Sequence, residues 1–135
     1  DRAGRLLLEP EAAEAAFPAI NAPLLKQLRD TDKAMGVAMR SGDVAAYMEG
    51  NFNFHFLIYR AQPRQTLLQL IETLWLQFGP FMRVVYGRFG TANLVDQHRV
   101  AIACLEAGDA KGLRQAIATD ISDGMGLIGA SGFES

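Results

Sequence analysis

The chain has 135 residues and a formal net charge of -2, a length that suits one domain and leaves no room for two large ones. Half of the residues are hydrophobic and 21% are charged, so a substantial core can form and the composition is not that of a disordered chain. With 15 acidic against 13 basic residues there is no basic surplus for phosphate backbones and no polybasic membrane patch, which argues against direct nucleic-acid binding by this segment.

The single cysteine, Cys104, has no internal partner for a disulfide, and no cationic start with an apolar run and small-residue cleavage site marks a signal peptide. A soluble protein of the reducing cytoplasm is expected. The longest apolar region, Gln65 to Met82, is interrupted by Gln69, Glu72 and Gln77 and reads as a bundle helix, not a membrane span. The chain opens on Asp1 directly in a helical pattern, so a piece of a longer polypeptide is expected.

Apolar residues recur at three- and four-residue spacing almost throughout, and alternating strand-like runs are hard to find, which makes the class all-α. The first helix runs from about Ala3 to Ala16 with Arg5, Leu8, Ala12 and Ala15 on one stripe; Pro10 bends or restarts it and Pro18 helps to end it. Asn21 caps a second helix with Pro23 in its first turn, and Leu24, Leu28, Met35 and Met39 keep its period until Ser41-Gly42. Asp43 caps the third, which carries Val44, Tyr47, Met48, Phe54 and Ile58 and ends before Pro63.

A long fourth helix follows through Leu67, Leu68, Ile71, Leu74, Trp75, Phe78, Met82 and Val85, with a kink expected at Gly79-Pro80. The fifth, from about Ala92 to Ala107, stops at Gly108, and Asp109 caps a sixth through Leu113, Ile117 and Ile121. Four of the 13 glycines fall in the last twelve residues, so the tail is expected to fray. With connections of two to five residues, the elements make one compact antiparallel bundle of about six to seven helices.

Four polar residues stand where this pattern calls for apolar ones. On the third helix Asn51 and His55, at i and i+4, interrupt the inward stripe 44, 47, 48, 51, 54, 55, 58. On the fifth, His98 sits among Leu94, Val95, Ala101, Ile102 and Leu105; on the sixth, Asp120 sits among Leu113, Ala116, Ile117, Ile121 and Gly124. Burying each alone carries a penalty, whereas convergence on a divalent ion removes it, with two imidazoles, a carboxylate and an amide oxygen as ligands and positions left open. The alternative at this stage is four separately satisfied polar groups, Asn51 bonded within its helix and Asp120 paired with an arginine.

The residues Arg5-Leu-Leu-Leu-Glu9, Gly42-Asp43, Asn51 with Phe54-His55, Gln97-His98 and Asp120, in this order and spacing, resemble the FCD domain. That is the ligand-sensing C-terminal domain of GntR-type bacterial transcription regulators of the FadR subfamily. The resemblance runs almost end to end and implies an FCD-like helical bundle that dimerises and passes a signal to an N-terminal winged helix-turn-helix, absent from this chain. It implies a small organic acid as effector, and a zinc, nickel or manganese-like divalent ion. The family's set of one carboxylate and three histidines maps onto Asn51, His55, His98 and Asp120. Two positions depart: the first acid is Asn51 and the last histidine is Asp120, so the carboxylate has changed ends and one imidazole has become an amide, a weaker ligand.

An anionic effector in a mostly apolar pocket requires a cation, and arginine's bidentate geometry suits a carboxylate. Arg5, on the inward stripe, and Arg83, just after Gly79-Pro80, are the effector-binding candidates; Tyr47 and Tyr86 offer hydroxyls, while Trp75 and Cys104 read as core. No catalytic residues are assigned and an enzyme is not expected, because no general base stands beside the two-histidine, one-carboxylate set. Asp96 lies off the inward stripe and Asp123 borders it. The competing readings are a metal-dependent helical-bundle enzyme and a metal-free interaction domain whose buried polar residues fix helix register.

Overall fold

Helix boundaries fall where the sequence supplies stops and caps. The computed structural model describes the backbone of residues 2–62, 64–89 and 97–130, with side chains at all of these except 81, 85–89 and 125–130. Its elements are α1 (Arg2–Ala16), a 3-10 turn (Phe17–Ala19), α2 (Ala22–Ser41), α3 (Val44–Tyr59), α4 (Gln65–Phe89), α5 (Gln97–Ala107) and α6 (Ala110–Ala130). No strand occurs among the described residues.

The Asn21 side chain accepts from the Leu24 amide at 3.0 Å and the Asp43 side chain from the Ala46 amide at 3.0 Å, each satisfying a donor that the first helical turn leaves free. Asp109 does the same for α6, accepting from the Gly112 amide at 2.8 Å. Gly42 and Gly108 close α2 and α5 with φ of 73° and 72°, a left-handed conformation that costs a residue without Cβ little.

α1 and α4 are each continuous through an internal proline, so Pro10 does not restart the first helix. α1 runs through Pro10, which is buried as the helix lies along α6. α4 likewise runs through Pro80. There the preceding residue is Gly79, and without a Cβ it avoids the clash with the proline ring that normally expels residue i−1 from helical geometry. α6 departs from the expected fraying: it continues through Gly124, Gly126 and Gly129 to Ala130, so three of the four late glycines lie inside a helix. α6 as a whole docks on α1, α5 and α4, and such packing supplies most of a helix's stability in a folded protein. The expected start of the fifth helix at Ala92, its Leu94 and Val95, and the tail from 131 onward fall outside the described residues.

Packing pairs α1 with α6, α2 with α3 and α5 with α6, and α4 lies across α1, α3 and α6. α3 is central: Tyr47, Asn51, Phe54, His55, Phe56, Ile58 and Tyr59 are all buried, a wider face than one stripe. The core joins Leu28, Met35 and Ala38 of α2, Ile71 and Phe78 of α4, Ala101 and Ile102 of α5 and Leu113, Ile117 and Ile121 of α6. Cys104 is half-buried at its edge. No described helix is long and apolar enough to cross a membrane.

Candidate functional site

The inward stripes of α3, α5 and α6 bring His55, His98 and Asp120 together. His55 is fully buried and His98 nearly so, while the Asp120 side chain keeps 17% of its surface exposed. Asp120 Oδ2 lies 2.7 Å from His55 Nε2 and 3.4 Å from His98 Nε2. One ligand atom from each of the three residues lies within 4.8 Å of the other two, close enough that small side-chain shifts would bring all three onto one ion at about 2 Å. Asn51 stands one turn before His55 on the same face of α3; it is 8% exposed, and its Oδ1 is buried without a hydrogen-bond partner. Asp120 therefore pairs with histidines, not with an arginine.

A second polar cluster adjoins the first, and its centre is Glu9, which the sequence places in the Arg5–Glu9 motif but not among the expected site residues. The buried positions of α1 are Arg5, Glu9, Pro10, Ala12, Ala13 and Ala16, so the inward face is rotated from the expected stripe; Leu8 and Ala15 are only half-buried. Glu9 is fully buried. Its Oε2 accepts from Arg5 Nε at 2.6 Å, and its Oε1 accepts from the Tyr59 hydroxyl at 2.8 Å and from Trp75 Nε1 at 2.9 Å. The usable signal was the i, i+4 spacing of Arg5 and Glu9, which places both charges on one face. Tyr47 is buried too, and the Tyr59 hydroxyl, not singled out from the sequence, joins the site; the Tyr86 side chain is outside the described residues.

The two clusters meet at His55. Its Nδ1 lies 2.9 Å from the Tyr59 oxygen, and since the Tyr59 hydrogen goes to Glu9, Nδ1 carries a hydrogen and donates to that oxygen. Nε2, on the far side of the ring, is left to face Asp120. An unprotonated Nε2 and a carboxylate oxygen at 2.7 Å would repel each other, so the pair needs a shared positive charge, either a proton or a bound cation.

The electrostatics agree. Burial pushes the His55 pKa down, but the Asp120 and Glu9 carboxylates outweigh it and leave it raised. Burial pushes Glu9 up, and the influence of His55 together with the adjacent Arg5 charge brings it instead to about 2. His55 Nδ1 is 3.7 Å from Glu9, so it acts as a nearby charge and through the Tyr59 hydroxyl, not by a direct bond. Asp120 is likewise held well below the usual carboxylate range, its burial outweighed by the two imidazoles. Burial and the neighbouring Glu9 charge raise Tyr59, keeping its hydroxyl protonated. Arg5 is raised because its contacts with Glu9 outweigh its desolvation.

Beside these clusters a cavity of about 620 Å³ opens between α1, α3 and α4, and Arg5, Asn51 and Arg83 all line it. The two arginines expected to meet an effector thus reach the same space. They differ in state: Arg5 is bonded to Glu9 and lies 4.4 Å from the Trp75 ring centre, whereas Arg83 is exposed.

An all-α bundle with convergent polar residues beside an internal cavity has the build of a ligand-binding helical domain. The chain belongs to the FCD domain family, whose model matches residues 3–123, and FCD domains are the ligand-sensing domains of GntR-type bacterial transcription regulators. It is 24% identical over 127 residues to the HTH-type transcriptional regulator McbR of Escherichia coli, an alignment covering 92% of this chain and 58% of McbR. The solved structure of E. coli McbR/YncC matches with a TM-score of 0.87 at 24% identity, over 94% of this chain and 61% of that one. The bundle fold is therefore shared, and the chain spans less than two thirds of the length of this relative.

Proposed function

We propose that this domain senses a small organic acid in the cavity between α1, α3 and α4, with a zinc, nickel or manganese-like divalent ion held beside it by His55, His98 and Asp120. Asn51 offers its amide oxygen as a fourth ligand. The observation that carries this reading is the convergence of three donor atoms from three helices within 4.8 Å, with the other nitrogen of His55 engaged through Tyr59. Donor chemistry fits such an ion: two imidazoles and a carboxylate suit borderline divalent metals, and the unpartnered Asn51 oxygen is a buried acceptor in want of a positive partner. When bound, the ion supplies a positive charge that an effector carboxylate can meet.

The residues of the chain account for the remaining steps. Glu9 and Tyr59 hold the His55 ring with Nε2 directed at Asp120. Arg83 presents an exposed guanidinium to the cavity for an incoming anion, and Arg5, fixed by Glu9, forms part of the wall. Because these groups sit on α1, α3, α4, α5 and α6, occupancy braces most of the bundle, and differential binding to two dimer arrangements carries the signal. The full-length protein is read as a cytoplasmic homodimeric regulator that contacts DNA through an N-terminal winged helix-turn-helix. The share of McbR left uncovered by this chain supports a further domain of that kind.

Thermal unfolding of the domain with added zinc, nickel or manganese tests the reading. A concentration-dependent rise in Tm that disappears in His55→Ala plus His98→Ala is expected. No shift with any metal or acid, together with unchanged stability in the double variant, would overturn it.

A further inference from the structure

The walls of the α1–α3–α4 cavity narrow the chemistry of what it holds, an inference that rests on the sensing role proposed above. Its volume of about 620 Å³ lies within the range of small-molecule sites. Phe52, Trp75, Phe78 and Met82 supply much of the surface. The indole nitrogen of Trp75 is taken by Glu9 at 2.9 Å, so this ring presents carbon to the cavity. Arg5 is likewise committed, with two contacts to Glu9 at 2.6 and 3.3 Å.

The Asn51 oxygen, nine-tenths buried, is given to the ion in the reading above, so one charged lining group remains for a ligand: Arg83, whose charge no described carboxylate pairs. A ligand's carboxylate finds its complement in Arg83. Hydroxyl groups spread along a ligand's body would instead be desolvated against ring faces and thioether, with few donors or acceptors to receive them. We infer that the cavity selects carboxylic acids with an apolar body, aromatic or medium-chain aliphatic, and rejects polyhydroxylated sugar acids. The body packs on Phe52, Trp75, Phe78 and Met82, while the acid group meets Arg83.

Calorimetric titration of the zinc-loaded domain with phenylacetate, hexanoate and gluconate tests this. Phenylacetate or hexanoate should bind at least about tenfold more tightly than gluconate, a difference of about 1.4 kcal/mol. Arg83→Gln, at an exposed position, should weaken the apolar acids about tenfold, and Met82→Gln should shrink their advantage over gluconate. Tighter binding of gluconate would overturn the selectivity and leave the sensing role standing. Failure of all three acids to bind would also overturn the inference, while the metal and acid screen above decides the sensing role. Binding of an apolar acid that neither variant changes would place it outside this cavity and also overturn the inference.

Discussion

Where α2 lies against α3, the interior is closed mostly by carbon: Leu28, Met35 and Ala38 are each at most 3% exposed, and Asp32 is the one charged residue that α2 buries. Between α1, α3 and α6 it is closed by charge, in a chain from Arg5 through Glu9, Tyr59 and His55 to Asp120 with polar contacts of 2.6 to 2.9 Å. The apolar region tolerates small shifts in helix position, because dispersion and burial are not directional. The polar region does not, since two of its bonds, Tyr59 to Glu9 and His55 to Asp120, join residues 50 and 65 positions apart and set how α1, α3 and α6 lie against one another. Stability can come from either region; a site needs the second.

The comparison breaks most sharply at Glu9. Glu9→Ala leaves Arg5, Tyr59 and Trp75 Nε1 buried without their shared acceptor, and should cost about 3–5 kcal/mol in urea denaturation, the range for opening one side of a buried ion pair. It should also weaken metal binding, because the His55 ring loses its brace. Leu28→Ala in the apolar region should cost about 3 kcal/mol by leaving a cavity, yet leave the metal response intact when Tm is followed with and without zinc. If the two variants affected metal binding alike, the division of roles would fail.

A ligand-linked effect comes next. Zinc at about a hundredfold over its Kd should add about 2.7 kcal/mol, and His98→Ala should abolish the gain while Met35→Leu preserves it, as read by thermal unfolding. The pH response without metal sharpens the contrast further. Glu9 titrates at about 2 in the folded chain against an ordinary value of 4.5, so it contributes stability above pH 4.5 that is lost as pH falls toward 2. Asp120, also held low, acts in the same direction. Denaturation midpoints between pH 5 and 2 should therefore fall more steeply in the wild type than in Glu9→Gln. The smallest effect belongs to the surface: Arg114 meets Glu11 at 2.6 Å with both side chains exposed, and Arg114→Ala should cost less than about 1 kcal/mol.

Much of the fold was legible in the sequence because capping and periodicity are local properties. Asn21, Asp43 and Asp109 act as caps, Gly42 and Gly108 as stops, and the polar interruptions at Asn51, His55 and His98 are buried as the period requires. The phase of α1 was harder to read. Its alanines mark burial weakly, so a stripe through Leu8 and Ala15 fitted nearly as well as the true face through Glu9, Ala13 and Ala16. That α6 stays helical through its late glycines to Ala130 was not legible from a local rule, which counts each glycine as a loosening.

By itself the sequence determined an all-α bundle, its cap positions, and the inward direction of His55 and His98, since these follow from the 3.6-residue repeat and from backbone donors satisfied a few residues away. Which inward groups meet was decided only by the tertiary structure. That Asp120 Oδ2 faces both imidazoles, that Glu9 is the acceptor for Arg5, Tyr59 and Trp75, and that Arg5 and Arg83 border one cavity all depend on how helices far apart in the chain are set against each other. Periodicity fixes a side chain's angle around its own axis, and only packing fixes the distance to the next one.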